Sequence, residues 1–309
     1  MQLRGSLCLL GAAFLWGTTF VAQSVGMDRL GPFTYMSARF FLGGLALFLL
    51  YLIVRRKILS WNFWKHERGR VSKISPLSDG GRKADGWKAG AGAGLIMFFA
   101  AALQQYGIQY TTASKAAFLT CMYLVIVPIG GVLLRQRIKV PHIIGGVFAL
   151  AGLYLLCITD GLSLAYGDAI VFIGSFFWTA HILFTDRFAS DVDVIEMSLA
   201  QVIVVFVLST VAALAFEVWV WADVFGAWVA IAFGGILSTC VAFTLQIVGQ
   251  RYADPAPAAI IMSLESVFGT LAGWLILGET MSAREAWGCS LMMTGMLTSQ
   301  LGGLSRKKK

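Results

Sequence analysis

Charge is what this sequence has least of: 13% of its 309 residues are Asp, Glu, Lys or Arg, against about 25% in an average soluble domain. Acidic residues are the scarcer sign, 16 against 24 basic. A water-soluble enzyme of this length does not have such a composition. The three histidines, His66, His142 and His181, lack metal-ligand spacing, so no metal centre is expected. The five cysteines, Cys8, Cys121, Cys157, Cys240 and Cys289, form no C-x-x-C pair, are odd in number and lie in apolar segments. They read as small buried side chains and not as a disulfide or metal framework. There is no phosphate-binding glycine loop, no H-E-x-x-H and no convergent Ser-His-Asp set, so neither a built-in ATPase, nor a cofactor, nor covalent catalysis is expected.

Apolar residues, at 58%, are abundant, and they fall into stretches of roughly 20, the length that crosses a bilayer as a helix. Ten can be read, at 3–25, 32–54, 87–110, 112–134, 140–159, 168–187, 195–217, 226–249, 256–277 and 284–304. The first has a lone Arg4 at its start and no small-x-small cleavage site, so a retained span is expected there and not a removable signal. The expected fold is an all-α polytopic membrane protein.

The basic residues then fix an orientation. If the spans alternate from a cytoplasmic N-terminus, that side holds Arg4, ten Lys/Arg between 55 and 88, Arg135, Arg137, Lys139, Arg187, Arg251 and the terminal RKKK, while the other side holds only Arg29 and Arg284. This is a positive-inside pattern, and it places both termini in the cytoplasm. It also accounts for the basic charge by the anionic inner leaflet of a bacterial cytoplasmic membrane, so no nucleic-acid partner is expected. The one long hydrophilic segment, about 55–88, reads as a cytoplasmic loop that Trp61, Phe63 and Trp64 could dock to the interface.

The chain also repeats. ALQQYGIQYTTASKAAFLTCMYLV from Ala102 aligns with TLQIVGQRYADPAPAAIIMSLESV from Thr244, matching Gln104 to Gln246, Gly107 to Gly249 and Tyr123 to Glu265. The register continues to Gly145/Gly288 and Gly152/Gly295, and Phe14-Leu15-Trp16 resembles Phe176-Phe177-Trp178. Two five-helix halves are expected, 1–159 and 160–309, the second entering the membrane from the opposite side because five is odd. Inverted repeats of this kind allow the two halves to exchange conformations and so open a central site to one side and then the other.

Four segments carry a resemblance to a known family: FLWG in the first stretch, MSARFFLGG in the second, TTASKAAFLTCMYLVIVPIGGVLL in the fourth and MSLESVFGTLAGWLILGETMSAREAWGCSLMMTG near the end. Across nearly its whole length the chain resembles the drug/metabolite transporter superfamily in its ten-helix EamA-type form. It departs at Arg135-Gln136-Arg137, where an acidic turn residue is common. The resemblance implies a secondary transporter or permease with a central cavity that moves an amino acid, another metabolite or a drug-like compound across the membrane, with efflux the expected direction. A membrane enzyme or sensor, or a passive channel, is the alternative.

Candidate residues follow from the cost of burying charge and polarity in lipid. Arg39, Lys115 and Glu265 are charges inside the apolar stretches, each costing about 2.5–3.5 kcal/mol on insertion scales, so each should face a cavity or a partner. Glu265 lies ten residues past Pro255, near mid-membrane; it suits a substrate amine or proton coupling, or else an ion pair with Lys115 or Arg39. Arg39 would favour a carboxylate or phosphate on the solute, or clamp helix carbonyls. Lys115 would face the site or snorkel to the interface. Tyr123 is a candidate cavity wall. Gln104 and Gln246 would hydrogen-bond a polar solute or one another's helices. Trp16, Trp178 and His181 would stack a solute or simply pack, Trp178 and His181 sharing one helix face. Pro128 should bend the fourth stretch.

Overall fold

The computed structural model describes residues 2–60, 84–111, 113–133, 138–158, 165–276 and 281–304. Among them every regular element is helical, and no strand occurs. The elements are α1 (Gln2–Met27), α2 (Pro32–Ser60), α3 (Gly86–Ile108), α4 (Ala113–Thr120), α5 (Tyr123–Leu133), α6 (Val140–Cys157), α7 (Tyr166–Ala189), α8 (Val194–Phe216), α9 (Trp221–Gly226), α10 (Trp228–Phe233), a π-helix (Gly234–Ala242), α11 (Phe243–Gln250), α12 (Pro255–Met262), α13 (Glu265–Ile276) and α14 (Ala283–Leu304). Among the described residues seven helical stretches are long and apolar enough to cross a bilayer, and Val140–Leu156 is a shorter apolar helix. With this composition and many large apolar side chains on the exterior, such as Phe41, Ile143, Val211 and Leu214, the chain is a multi-pass membrane protein.

Three of the stretches expected as single helices are interrupted. The fourth breaks at Cys121–Met122 and the ninth at Ser263–Leu264, where hydrogen bonds tighten to three-residue spacing (Met122 N to Leu119 O, Leu264 N to Ile261 O). The bend expected at Pro128 is thus displaced: Pro128 lies inside α5, and the break comes before it. The eighth widens into the π-helix, where Thr239 Oγ1 donates to the Gly234 carbonyl five residues back (3.0 Å). At the other end of the expectation, α2 runs on to Ser60, past the predicted limit at 54. Trp61, Phe63, Trp64, Arg135, Arg137 and the basic tail lie outside the described residues, as does the Lys115 side chain.

Glycine decides how closely the helices approach. A methyl group added at Gly145 would stand 2.5 Å from the Gly295 carbonyl oxygen, and one at Gly152 would stand 2.5 Å from that of Gly288, so α6 and α14 pack backbone to backbone. Gly94 on α3 sits equally tightly against the Gln201 carbonyl of α8 (2.7 Å), and Gly235 of the π-helix against the Arg39 carbonyl of α2 (2.8 Å). At one end of α2, Glu217 from the end of α8 supplies the cap: its carboxylate accepts from Phe33 N and Thr34 N (both 2.8 Å) and from Thr34 Oγ1 (2.6 Å).

Candidate functional site

The breaks in the fourth and ninth stretches place two side chains at helix starts in the middle of the molecule. Tyr123 opens α5 and Glu265 opens α13. A carboxylate there is favoured by the N-terminal end of the helix dipole. The Tyr123 hydroxyl donates to Glu265 Oε1 (3.2 Å), and the Cys121 thiol approaches the same oxygen (3.5 Å). Both residues are buried, Glu265 with 7% of its surface exposed.

They face an internal cavity that α1, α2, α3, α4, α5, α7, the π-helix, α11, α12 and α13 all help to line. Its space amounts to about 60 Å³ for the centres of water-sized molecules, enough for several waters or one small solute. Arg39 enters from α2, its guanidinium carbon 5.0 Å from the Phe40 ring centre and 5.7 Å from that of Tyr35. Its Nε and Nη1 are buried with no hydrogen-bond partner among the described residues. Among those residues Arg39 and Glu265 are not ion-paired, to each other or elsewhere. A cation and a carboxylate therefore line one small space without neutralising each other.

The rest of the wall is aromatic and amide. Trp178 Nε1 donates to Gln104 Oε1 (2.8 Å), holding the amide in place. Phe243 lies parallel to Trp178 (centroids 6.4 Å, planes at 10°) and packs on Trp16 (5.0 Å). Gln246 also lines the cavity, its Oε1 buried without a partner among the described residues.

This architecture can be set beside known proteins. The sequence profile of the EamA-like transporter family matches residues 3–158 and 165–299. The chain belongs to the EamA-like transporter family. Two relatives in this group are an uncharacterized transporter of Archaeoglobus fulgidus, 26% identical over 97% of this chain and 87% of its own length, and the uncharacterized transporter YoaV of Bacillus subtilis, 23% identical over 98% of both chains. A protein of known crystal structure shares the fold with a TM-score of 0.75 over 99% of both chains, at 21% identity.

Of the residues singled out in the sequence, this EamA-family cavity brings together Trp16, Arg39, Gln104, Tyr123, Trp178, Gln246 and Glu265. His181 is elsewhere: it is fully buried behind the wall, edge-on to Trp178 and Phe243, with Nε2 3.2 Å from Gln201 Oε1. Lys115 belongs to α4, and its side chain lies outside the described residues. Sequence reasoning missed Gln23, Gln105, Thr120, Ser238 and Phe243, which also line the cavity. The QQ pair at Gln104-Gln105 was visible, but only one of its members was chosen by the repeat alignment.

Proposed function

We propose that this EamA-family transporter is a ten-span, inverted-repeat carrier that moves a small zwitterionic solute, such as an amino acid, out across a bacterial cytoplasmic membrane by alternating access. Both termini are cytoplasmic in this reading, the basic loop around 55–88 faces the inner leaflet, and residues 1–159 and 160–309 are the two halves. The observation that carries it is the coexistence of Arg39 and Glu265 in one buried cavity with no ion pair between them. A solute carboxylate can take the unsatisfied guanidinium donors, and a solute ammonium can take the carboxylate. Gln104 and Gln246 supply neutral hydrogen bonds, and Trp16 and Trp178 bound the apolar part. Glu265 is also placed to exchange a proton when the solute leaves.

The inverted repeat is supported by contacts that recur in pairs. Gly145 meets Gly295 and Gly152 meets Gly288, which is one contact twice if Gly145 corresponds to Gly288 and Gly152 to Gly295, as aligned. Gly107 meets Gly167, and Gly249 meets Gly5, in the same relation. Arg39 and Gln201 stand seven residues past the first residues of α2 and α8, and their carbonyls are met by Gly235 and Gly94 respectively. Such pairing is what a two-fold axis between halves generates.

The test is an untargeted profile of the medium around cells expressing wild type, Glu265→Gln or an empty vector. One class of zwitterion should accumulate only with wild type. Identical media would overturn export of an endogenous solute.

A further inference from the structure

The cavity does not obey the symmetry of the halves, and three of its polar departures fall at one end. Five pairs of lining residues correspond across the repeat, such as Trp16 with Trp178 and Gln104 with Gln246. Gln23, Arg39 and Gln105 line the cavity too, and all three come from helix ends on the side opposite the basic face. Their counterparts are Thr185, Gln201 and Ile247. Gln23 and Thr185 each precede the last residue of their helix by four, and Gln105 and Ile247 precede theirs by three. Those three counterparts do not line it: each is 0% exposed, packed at the end that carries Arg187 and Arg251.

Two of them belong to a polar cluster in which each side chain keeps one atom without a partner among the described residues. Thr185 Oγ1, His181 Nδ1, Gln201 Nε2 and Gln250 Oε1 are all buried without a hydrogen-bond partner among the described residues. The four side chains converge on one stretch of α7: His181 and Thr185 are on it, Gln201 reaches His181, and Gln250 Nε2 donates to the Ile182 carbonyl (2.9 Å). Buried polar atoms are normally paired, because each one left alone costs about 1–3 kcal/mol. Beside them Arg251 clasps the end of α7, with Nε donating to the Ala189 carbonyl and Nη2 to the Val192 carbonyl, both at 2.7 Å. The residue in its place at the end of α3 is Gln109, which is exposed.

We infer that His181, Thr185, Gln201 and Gln250 form a second solute vestibule on the cytoplasmic side, collapsed in this structure and latched by Arg251. Its ligand is a small polar solute held through amide, hydroxyl and imidazole groups, with no fixed charge among the four except what His181 gains by protonation. This rests on the alternating-access reading: the structure is then the state open toward the outside, and the exchange of the two halves buries Gln23, Arg39 and Gln105 as it wets Thr185 and Gln201. The free donors and acceptors of the cluster are what water or solute takes up when that side opens.

The experiment places a reporter cysteine on each side, Thr185→Cys or Gln23→Cys, in the full chain, and reads reaction with a membrane-impermeant maleimide in vesicles of both orientations against the unsubstituted chain. Thr185→Cys should react from the basic face, at least about tenfold faster once Arg251→Gln is added, a bias of about 1.4 kcal/mol. Gln23→Cys should react from the opposite face, and more slowly with Arg251→Gln. Gln250→Cys serves as the second basic-face reporter if Thr185→Cys fails to reach the membrane. Reporters that stay at the background rate with and without Arg251→Gln overturn the vestibule, and so does acceleration at both faces together, which marks general loosening. Transport of the exported solute in the same vesicles separates the two readings: transport that persists while both basic-face reporters stay silent overturns the vestibule and leaves the carrier standing.

Discussion

The seam between α6 and α14 and the broken stretches α4–α5 and α12–α13 are built to opposite rules. In the seam, glycines bring two continuous helices into backbone contact, and carbonyls press against the opposing backbone at Gly145–Gly295 and Gly152–Gly288. In the broken pair the helices stop and restart beside the cavity, and Tyr123 and Glu265 sit at the restarts. The first arrangement leaves no room for adjustment. The second exposes helix ends to a cavity and stations a carboxylate there. The contrast separates a region packed backbone to backbone from one that lines a cavity, and substitutions on either side can break it.

The largest effect is expected in the seam. Gly152→Val would drive a branched side chain into the Gly288 carbonyl and the Met292 backbone, at 2.5 and 2.7 Å from the new Cβ. Overpacking of this kind costs about 3 kcal/mol or more when backbone must move, so the variant should lose most of its folded yield in a detergent size-exclusion assay. Gly146→Val, nearly two turns away with nothing within 4 Å, should behave as wild type and is the control. Equal losses in both would mean that the seam is not the constraint.

Next comes Glu265→Gln, which should leave the folded yield unchanged while weakening solute binding by about 10- to 100-fold, the worth of a charge-assisted hydrogen bond of about 1.5–3 kcal/mol. The amide still accepts from Tyr123, so the wall survives and only the charge goes. Binding measured by solute-dependent thermal shift separates the two regions: a Glu265→Gln chain that binds as tightly as wild type would remove the carboxylate from the site.

How much of this was legible beforehand depends on whether a residue's cost shows in composition. Arg39 and Glu265 stood out because charge in an apolar run is expensive wherever the helix points. Gln104 and Gln246 stood out only because the two halves repeat. Gln23 and Ser238 carry no such mark, since neutral polar residues occur on membrane helices for many reasons, and Phe243 is indistinguishable from any packing phenylalanine until Trp16 and Trp178 close around it. The helix breaks were hidden for a different reason: no glycine or proline sits at Cys121–Met122 or Ser263–Leu264. The available sign was hydroxyl spacing, with Ser263 Oγ donating to Ile260 O and Ser266 Oγ to Ser263 O, each three residues back, competing with the helix ladder. Periodicity finds spans, whereas their interruptions arise from side chains that replace a backbone bond.

A smaller effect tests whether the rigid side extends to the membrane surface. Glu217→Gln would leave at most one good acceptor for Phe33 N, Thr34 N and the Thr34 hydroxyl, and would remove the charge that faces the start of α2. Lost caps cost about 1 kcal/mol, so thermal stability should fall by a few degrees while solute affinity is unchanged. An affinity change larger than the stability loss would tie this cap to the cavity through Arg39 on the same helix.

The smallest expected effect lies inside the cavity and probes how finely its wall is held. Trp178→Phe keeps an aromatic face toward Phe243 and deletes one donor, the indole N–H that fixes Gln104 Oε1 at 2.8 Å. Interhelical hydrogen bonds in membranes average about 0.6 kcal/mol, which predicts a two- to threefold loss in solute affinity and almost no change in folding. The same substitution at Trp16 touches no hydrogen bond recorded among the described residues, only the packing on Phe243, so it should cost less affinity than Trp178→Phe. If the order reverses, Gln104 is not held for solute by its tryptophan, and the amides of this wall are packing elements that happen to face a cavity.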